Sequence, residues 1–594
     1  MFGFLLQVVN AIKNQQKIPL QWMRMKIATM YKKKGSMKML INQRGIFLTP
    51  VISKVFEKLI KARITEIVAK VTKLQAGSRS GRMTMDQTFL LRGAVNHSIY
   101  MNKPLFITMY DFRQCFDKIW LEDALITLWK LGVRDDMLKL ISILNEKSEV
   151  VVKTSVGETE MFELGPNAKQ GTVLGPILSS ASIAECCQEQ KQGGVTIGST
   201  VIRSLAYVDD LAGVNQVHLD VHNSHDKVTL FSKKKRIGLN EEKSIVLPVN
   251  VSNSMATPVL LINGRQMDVV EAAKYLGDIF NQSGTNCDMI NDRVNKGIQC
   301  MISSMALASE ITLGIYLMKT LISLYKIMFL PVVLCNSGAW NNLSANDISK
   351  LKVVQMKYLK RMLHTPTSTA NCVTYLEVGV LPIEYNIHIN QFTFLHHILN
   401  LDMDDPVREC YEQQKLYPFE NNWFNELSEL LRKYNLEYAE EEISSMSKDR
   451  WKSVITSRVE AFALNELNVE NSCKSKTSQL SPYTSLKPQH YLESLCPSDA
   501  RLFFSMRTGT LDIKTMRKYN YEDGDVLCRL CGNEEETLDH IVNECPSISR
   551  NCQVKDILSG QKEEIADVLS RVKEFNRLAD EKTVDCLEEE SRME

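Results

Sequence analysis

The sequence predicts an α+β protein built from more than one domain, and three observations carry that expectation. An acidic pair, Asp209-Asp210, stands between the apolar runs Leu205–Val208 and Leu211–Val214, which reads as a β-hairpin with carboxylates at its turn. A β-prone run, Pro104–Tyr110, ends on Asp111. Farther along, apolar residues recur at helix spacing through Ile348, Leu351, Val354, Tyr358, Leu359 and Met362. The chain has 594 residues, room for several domains; 44% apolar and 24% charged residues are the proportions of a core-forming globular protein.

The hairpin comes first because its chemistry is unusual. Two adjacent carboxylates in an apolar setting raise each other's pKa unless a cation holds them. Mg²⁺ is the usual cation, since it is hard, takes oxygen ligands and bridges carboxylates to phosphates. An Asp at the exit of a buried strand together with an Asp pair on a hairpin is the set that a two-metal phosphoryl-transfer site needs. The plain alternative is an Asp-rich turn. Leu121–Leu131 follows Phe116-Asp117 and reads as a helix, so Asp117 is better taken as a carboxylate near the helix start than as a third ligand. Between the acidic sites lies Gly165-Pro166-Asn167-Ala168-Lys169-Gln170-Gly171-Thr172-Val173-Leu174-Gly175-Pro176, whose glycines permit close backbone approach and a turn into a helix.

Asp111-x5-Asp117, Gln170-Gly171-x3-Gly175-Pro176 and Tyr207-x-Asp209-Asp210 resemble motifs A, B and C of reverse transcriptases. The flanks resemble the non-LTR (LINE-type) retrotransposon branch. Lys33-Lys34-Gly35, Asn42-Gln43-Arg44-Gly45-Ile46-Phe47-Leu48 and Phe56-Glu57-Lys58-Leu59-Ile60 look like its first fingers motif. Gln75-Ala76-Gly77-Ser78-Arg79-Ser80-Gly81-Arg82-x-Thr84-x-Asp86-Gln87 looks like the next. Gly238-Leu239-Asn240-x2-Lys243-Ser244 resembles motif D, and Lys274-Tyr275-Leu276-Gly277 resembles the primer-grip motif E.

The resemblance implies a right-hand polymerase with an antiparallel palm sheet. It implies that Asp111, Asp209 and Asp210 hold two Mg²⁺ ions and that Phe116 excludes a ribose 2′-OH. Arg44 and Lys38 would contact the incoming triphosphate, Gln170 and Gly171 would line the nucleotide and template pocket, and Tyr207 would lie under the primer terminus. Lys243 is either a general acid near the pyrophosphate or a solvated surface lysine. The sequence departs from the family pattern at Val208, where a small residue is common, at Ser78, where an aromatic is usual, and at Gln114-Cys115. A β-branched residue at 208 is tolerable in a strand. None of these departures removes a metal ligand.

A second chemical signal is Cys528-x2-Cys531-x8-His540-x4-Cys545, a four-ligand zinc spacing. One Zn²⁺ there would fold a segment too small to build its own core. The segment also looks like the zinc-binding stretch that follows many retrotransposon reverse transcriptases, with a role in gripping template RNA or target DNA.

The organisation implied is fingers over 1–100, palm over 101–285, a helical thumb over 286–400, a helical linker region over 401–520, the zinc segment over 521–550 and an acidic tail over 551–594, with Asp580 to Glu594 disordered. Lys474–Gln479 looks like a linker. Net charge is only +1, but cations cluster at Lys32–Lys34 and Lys233–Arg236, where they would attract phosphates regardless of sequence. The 15 cysteines are scattered, which favours a reducing compartment over a disulfide framework. Met1–Val9 lacks the basic start and cleavage pattern of a signal peptide. Ile315–Trp340 is apolar but interrupted by Lys319, Lys326 and Pro331, so it reads as a buried helix, not a membrane span.

The partners implied are an RNA template, a DNA primer or nicked target DNA, and dNTPs, with no membrane; a polymerase priming on chromosomal DNA works in the nucleus as well as the cytoplasm. No endonuclease pattern precedes the first motif or follows Cys545, so the chain reads as a polymerase without its nuclease. The alternatives are an inactive or host-adopted retrotransposon relic that binds nucleic acid, and a maturase-like polymerase. The intact aspartates favour an active polymerase over the first, and the zinc segment favours a retrotransposon over the second.

Overall fold

The structure is a computed structural model that describes residues 2–593, apart from 34, 40–41, 72, 114, 155–156, 166–168, 170, 253–254, 312–316, 417–421, 518–523, 550–553, 555 and 559–561; the side chains of residues 2, 69–71, 116–117, 562–563 and 585–593 lie outside the description as well. The chain divides into two compact units. The first comprises Met1–Met289, Ala339–Asn342 and His397–Leu427, and the second Ile290–Gly338, Leu343–His396 and Ser428–Glu594.

The first unit is organised by a five-stranded sheet in the order Asp268–Val269, Ile245–Val249, Leu105–Tyr110, Asp210–Asn215, Ser204–Tyr207. Its middle strand, Leu105–Tyr110, is buried at every position, which is why the sequence there is continuously apolar instead of alternating. Both neighbours of that strand run antiparallel to it, with Leu211 opposite Tyr110 and Ile245 opposite Met109. The edge strand Asp268–Val269 pairs in parallel, so the expected antiparallel sheet has one parallel edge. Helices Gly175–Glu189 and His218–Lys235 contribute Ile177, Leu178, Ala181, Val221, Val228 and Phe231 to the core that also holds Phe106 and Tyr110. The Leu211–Tyr110 register carries Asp210 and Asp111 to the same end of the sheet. A one-residue slip would send one of them to the opposite face.

A second sheet in this unit joins Gln43–Leu48 to Arg24–Tyr31 and then Ser148–Thr154, with Gly157–Glu158 and Phe162–Leu164 at its margin. A hairpin, Ala272–Tyr275 with Asp278–Asn281, turns at Leu276-Gly277, where both residues have positive φ. Behind the main sheet, the Glu185 carboxylate on helix Gly175–Glu189 accepts hydrogen bonds from Thr127 Oγ1 at 2.9 Å and Lys130 Nζ at 2.5 Å, and pairs with Lys235 Nζ at 2.7 Å. Burial by itself would raise this carboxyl, but the lysines and the threonine hold it down to about 2.

The second unit is largely helical. Ala345–Leu363 opens with a capping box in which Ser344 accepts from the Asp347 N–H. Leu351, Val354, Tyr358, Leu359 and Met362, from the predicted stripe, are buried, and Ile348 is half-buried. The apolar stretch before it is a broken helix: Leu317–Leu324, a π-helical turn Tyr325–Phe329, then Leu330–Val333. Pro331 has no N–H to donate within that last turn, a recognised reason for local widening. Among the described residues no helix is long and apolar enough to cross a membrane. Glu377 is fully buried yet satisfied, accepting from Arg507 Nε at 2.8 Å, from the Tyr491 hydroxyl at 2.7 Å and from the Tyr483 hydroxyl.

Two sequence expectations are corrected here. Lys474–Gln479 is an exposed turn tied to the unit by Thr477, which is 1% exposed and bonded to Asn471. The C-terminal stretch is helix Lys562–Met593, which runs through Asp580 and beyond. Ile565, Val568, Leu569, Val572 and Phe575 form a buried stripe that the acidic composition hid. Among the described residues no cysteine is in a disulfide.

The Glu185 cluster generates a prediction with a definite sign. Because folding lowers this carboxyl, its stabilisation is present above the unfolded value of 4.5 and is lost as pH falls towards about 2. Glu185→Gln leaves buried Lys235 without its counter-charge and should cost about 3 kcal/mol in urea unfolding at pH 7. The difference from wild type should shrink as pH drops below 4.5; a gap that persists to low pH would count against the ion pair.

Candidate active site and metal centre

Asp111 leaves the central strand and is wrapped by the segment Asn240–Ser244. Its N–H donates to Ser244 Oγ at 3.2 Å, and its carbonyl accepts from the Asn240 N–H at 2.8 Å. Its carboxylate accepts from Asn240 Nδ2 at 2.9 Å and from Lys243 Nζ at 3.3 Å and 3.4 Å. The motif D residues thus form a cradle for the motif A aspartate, and Asn240 and Ser244 are members that sequence reasoning did not single out.

The acidic hairpin folds as expected, with Tyr207 opposite Asp210 and the turn at Val208-Asp209. Val208 is not in a strand, however. It sits in the turn at φ +60°, left-handed backbone that a β-branched residue adopts at a cost of roughly 1–3 kcal/mol. Something in the surroundings must hold it there.

The carboxylates sense one another. Asp209 is raised by burial and by Asp111, against an opposing pull from Arg44. Asp210 is pushed up to about 6 by burial, by Asp209 and by Asp111. Asp210 keeps one side open to solvent. The acids share one electrostatic environment, yet they do not gather as tightly as the Cys/His cluster below: among the described residues, the groups whose candidate ligand atoms all lie within 4.8 Å of one another do not include them. Lys243, not a third acid, is the charge in contact with Asp111. The chemistry of the set nonetheless fits hard divalent cations, which would relieve the mutual repulsion and displace the lysine.

Arg44 lies on strand Gln43–Leu48, exposed and electrostatically coupled to Asp209. Gly171, at φ +105°, packs against that strand so closely that an added Cβ would lie 2.7 Å from the Phe47 carbonyl oxygen. Gln170 lies outside the described residues, as does the side chain of Phe116, whose backbone belongs to the short helix Cys115–Lys118. Lys38 is in an exposed turn, its N–H bonded to Ser36 Oγ at 3.4 Å, and none of the aspartates is among its described contacts. Tyr207 is half-exposed at the end of its strand. Two buried charges flank Gly171, Glu57 against the residues after it and Lys169 just before it. Glu57 accepts from the N–H groups of Val173 at 2.7 Å and Leu174 at 3.1 Å. Lys169 bonds Ser148 Oγ and the Leu144 carbonyl. Burial lowers Lys169 to about 8, with Glu57 opposing the shift. Neither role was legible beyond the motif that contained it.

In the second unit, Cys528, Cys531, His540 and Cys545 each bring one ligand atom within 4.8 Å of the others. A tight turn, in which the Gly532 N–H donates to the Cys528 carbonyl at 2.9 Å, presents the first two sulfurs. His540 opens a π-helical turn, His540–Glu544, and the Cys545 N–H donates to the His540 carbonyl at 2.6 Å. His540 Nε2 faces Cys531 Sγ at 3.4 Å while Nδ1 lies 3.0 Å from Glu534 Oε2. A carboxylate behind a histidine fixes which nitrogen is free to bind metal. Glu534 is therefore part of the centre, and the spacing alone did not indicate it. Burial and the neighbouring Cys528 push Cys545 up to about 12; burial would raise Cys531 too, but backbone N–H groups of Asn533 and Glu534 hold it at about 7. A three-sulfur, one-imidazole set, buried except at half-buried Cys531, suits tetrahedral Zn²⁺.

Residues 31–279 match the family described as reverse transcriptase (RNA-dependent DNA polymerase). The chain is 23% identical over 278 residues to a retrovirus-related Pol polyprotein from the type-1 retrotransposable element R2 of Popillia japonica, covering 45% of this chain and 39% of that protein. It is 22% identical over 400 residues to the probable RNA-directed DNA polymerase from transposon BS of Drosophila melanogaster, covering 65% and 42%. The chain spans about two-fifths of the length of these curated relatives. A solved telomerase from Candida tropicalis, in complex with a fragment of telomeric RNA, superposes with a TM-score of 0.37 at 10% identity, covering 77% of this chain and 68% of that one, too loosely to carry an argument.

The electrostatics predict that, in metal-free protein, the Asp210 carboxyl titrates with a midpoint near about 6, readable by carboxyl-region infrared or NMR. Asp111→Asn removes one neighbouring negative charge and should lower that midpoint. An unchanged midpoint would mean that the two acids are not coupled.

Proposed function

We propose that the reverse transcriptase domain at residues 31–279 makes this chain an RNA-directed DNA polymerase of the non-LTR retrotransposon kind. It adds dNTPs to a primer 3′-OH along an RNA template. The observation that carries this reading is the meeting of Asp111 with the Asp209-Asp210 turn at one end of the main sheet, with Arg44 coupled to Asp209 and Gly171 packed on the strand that bears Arg44.

Asp111, Asp209 and Asp210 would hold two Mg²⁺ ions. Such ions, when bound, make the primer hydroxyl a better nucleophile and neutralise the leaving pyrophosphate. The remaining work belongs to the protein. Arg44 and Lys38 offset triphosphate charge, Phe116 closes the pocket to a ribose 2′-OH, and Gln170 and Gly171 line the nucleotide and template pocket. Tyr207 supports the primer terminus. Lys243 rests on Asp111 here and must leave it to donate a proton to pyrophosphate, a transfer for which a lysine is suited once the carboxylate no longer needs it. In the second unit, Cys528, Cys531, His540 and Cys545 would hold one Zn²⁺ and keep a small segment folded for contact with template RNA or with a nicked target DNA. Priming on chromosomal DNA would require the protein to reach the nucleus as well as the cytoplasm.

Two measurements test this. Purified protein should extend a DNA primer on an RNA template with Mg²⁺ and dNTPs, and Asp209→Asn/Asp210→Asn should abolish addition with the fold unchanged by circular dichroism. Extension that survives in the variant would remove the metal-site assignment, and no extension by folded, RNA-binding wild type would leave nucleic-acid binding as the whole function. Separately, Cys528→Ser/Cys531→Ser should lose one equivalent of zinc per chain by elemental analysis; unchanged zinc content would sink the four-ligand centre.

A further inference from the structure

We propose that Gln75 is a positioning residue that holds the aspartate-bearing turn in its metal-binding conformation by clamping the backbone of Val208. The inference rests on reading the Asp209-Asp210 turn as the metal site and adds a residue and a device to it.

Val208 is the one residue between Tyr207 and the two aspartates. A valine at φ +60° is held in a conformation that a free chain would give to glycine, asparagine or aspartate. The Gln75 carboxamide meets this residue on both sides. Its Oε1 accepts from the Val208 N–H at 2.9 Å, and its Nε2 donates to the Val208 carbonyl at 3.0 Å. A single planar side chain thus closes a ring around one backbone residue. The other valences of the amide are used as well: Oε1 accepts from the Gly77 N–H at 2.9 Å, and Nε2 reaches the Ser180 carbonyl at 3.4 Å. Flipping the amide would set its NH₂ against two N–H donors, so the network itself dictates the orientation. Gln75 is only 2% exposed, and water does not compete for these bonds.

The backbone on either side is docked in the same place. The Ala206 N–H donates to the Leu74 carbonyl, and the Ala76 N–H donates to the Ala206 carbonyl, each at 3.0 Å. Gly77 approaches so closely that an added Cβ would lie 2.2 Å from the Val208 nitrogen. Residues 74–77 are therefore a rigid edge laid along the catalytic hairpin, and Gln75 is the tooth that engages its turn. The choice of side chain follows from the two partners. Glutamate would offer acceptors only and would add a further negative charge beside Asp209 and Asp210, lysine and arginine would offer donors only, and asparagine is one methylene shorter. Any rotation at Val208 is passed directly to Asp209 and Asp210, and a displacement of about 1 Å in a reacting group can cost about 100-fold in rate.

The experiment is a double-mutant cycle on the full chain, with Gln75→Met (similar volume, no amide) and Val208→Gly (no penalty at positive φ). Two quantities are read: Mn²⁺ binding to protein without nucleic acid, from the free-ion electron paramagnetic resonance signal, and kcat and KM for dNTP in primer extension. Gln75→Met alone should weaken Mn²⁺ binding about 10-fold and lower kcat between about 10- and 100-fold, with KM within about 2-fold. In the Val208→Gly background the same change should cost less than about 3-fold in either quantity, because the turn no longer needs to be forced. Equal losses in both backgrounds would overturn the clamp and reduce Gln75 to core packing. The Mn²⁺ arm decides the matter even for a chain that does not extend primers. Asp209→Asn/Asp210→Asn serves as its control; Mn²⁺ binding that survives that variant overturns the metal site and the clamp with it.

Discussion

The burial of Asp209 and Asp210 beside Asp111 is the constraint on which the candidate site depends. Burial disfavours the ionised state of Asp209 and Asp210, and repulsion from Asp111, joined at Asp210 by that from Asp209, adds to the rise. Each surrounding feature keeps the acids together in spite of it. The buried middle strand and the Leu211–Tyr110 register deliver Asp111 and Asp210 to the same end. Asn240 and Lys243 hold the Asp111 carboxylate, and Arg44 opposes the charge at Asp209. A divalent cation placed among these carboxylates would relieve that cost.

The second unit meets the same problem with softer ligands. Cys528, Cys531 and Cys545 crowd three sulfurs together, and burial with Cys528 alongside raises Cys545. Glu534 behind His540 plays a part comparable to that of Asn240 behind Asp111: neither is a candidate ligand by spacing, and each orients one that is.

Much of the architecture was legible because it is written at short range. The apolar run before Asp111, the acidic tip between two apolar runs and the helical stripe from Ile348 to Met362 are local periodicities, and the structure has a strand, a hairpin and a helix there. What was missed involves either competition between signals or contacts distant in sequence. Asp580 to Glu594 looked disordered because it is acidic, yet it continues a helix whose earlier turns bury the apolar stripe from Ile565 to Phe575. Lys474–Gln479 looked like a linker because its residues are polar, yet Thr477 and Asn471 satisfy each other inside the unit. Val208 looked like a strand residue because β-branched residues favour strands, and nothing local announced that it would be bent into a turn.

The sequence by itself determined the class of chemistry: which carboxylates, sulfurs and imidazole are available, and in what order along the chain. Residue type sets what an atom can bind, and spacing within a turn or a strand sets which neighbours share a face. Only the tertiary structure decided which groups hold those ligands in place. Gln75 reaches Val208 across 133 positions, Lys243 reaches Asp111 across 132, and the Glu57 carboxylate receives the Val173 N–H across 116. Such contacts depend on strand register and helix packing over the whole unit, and a periodicity of two or 3.6 residues carries no information about them.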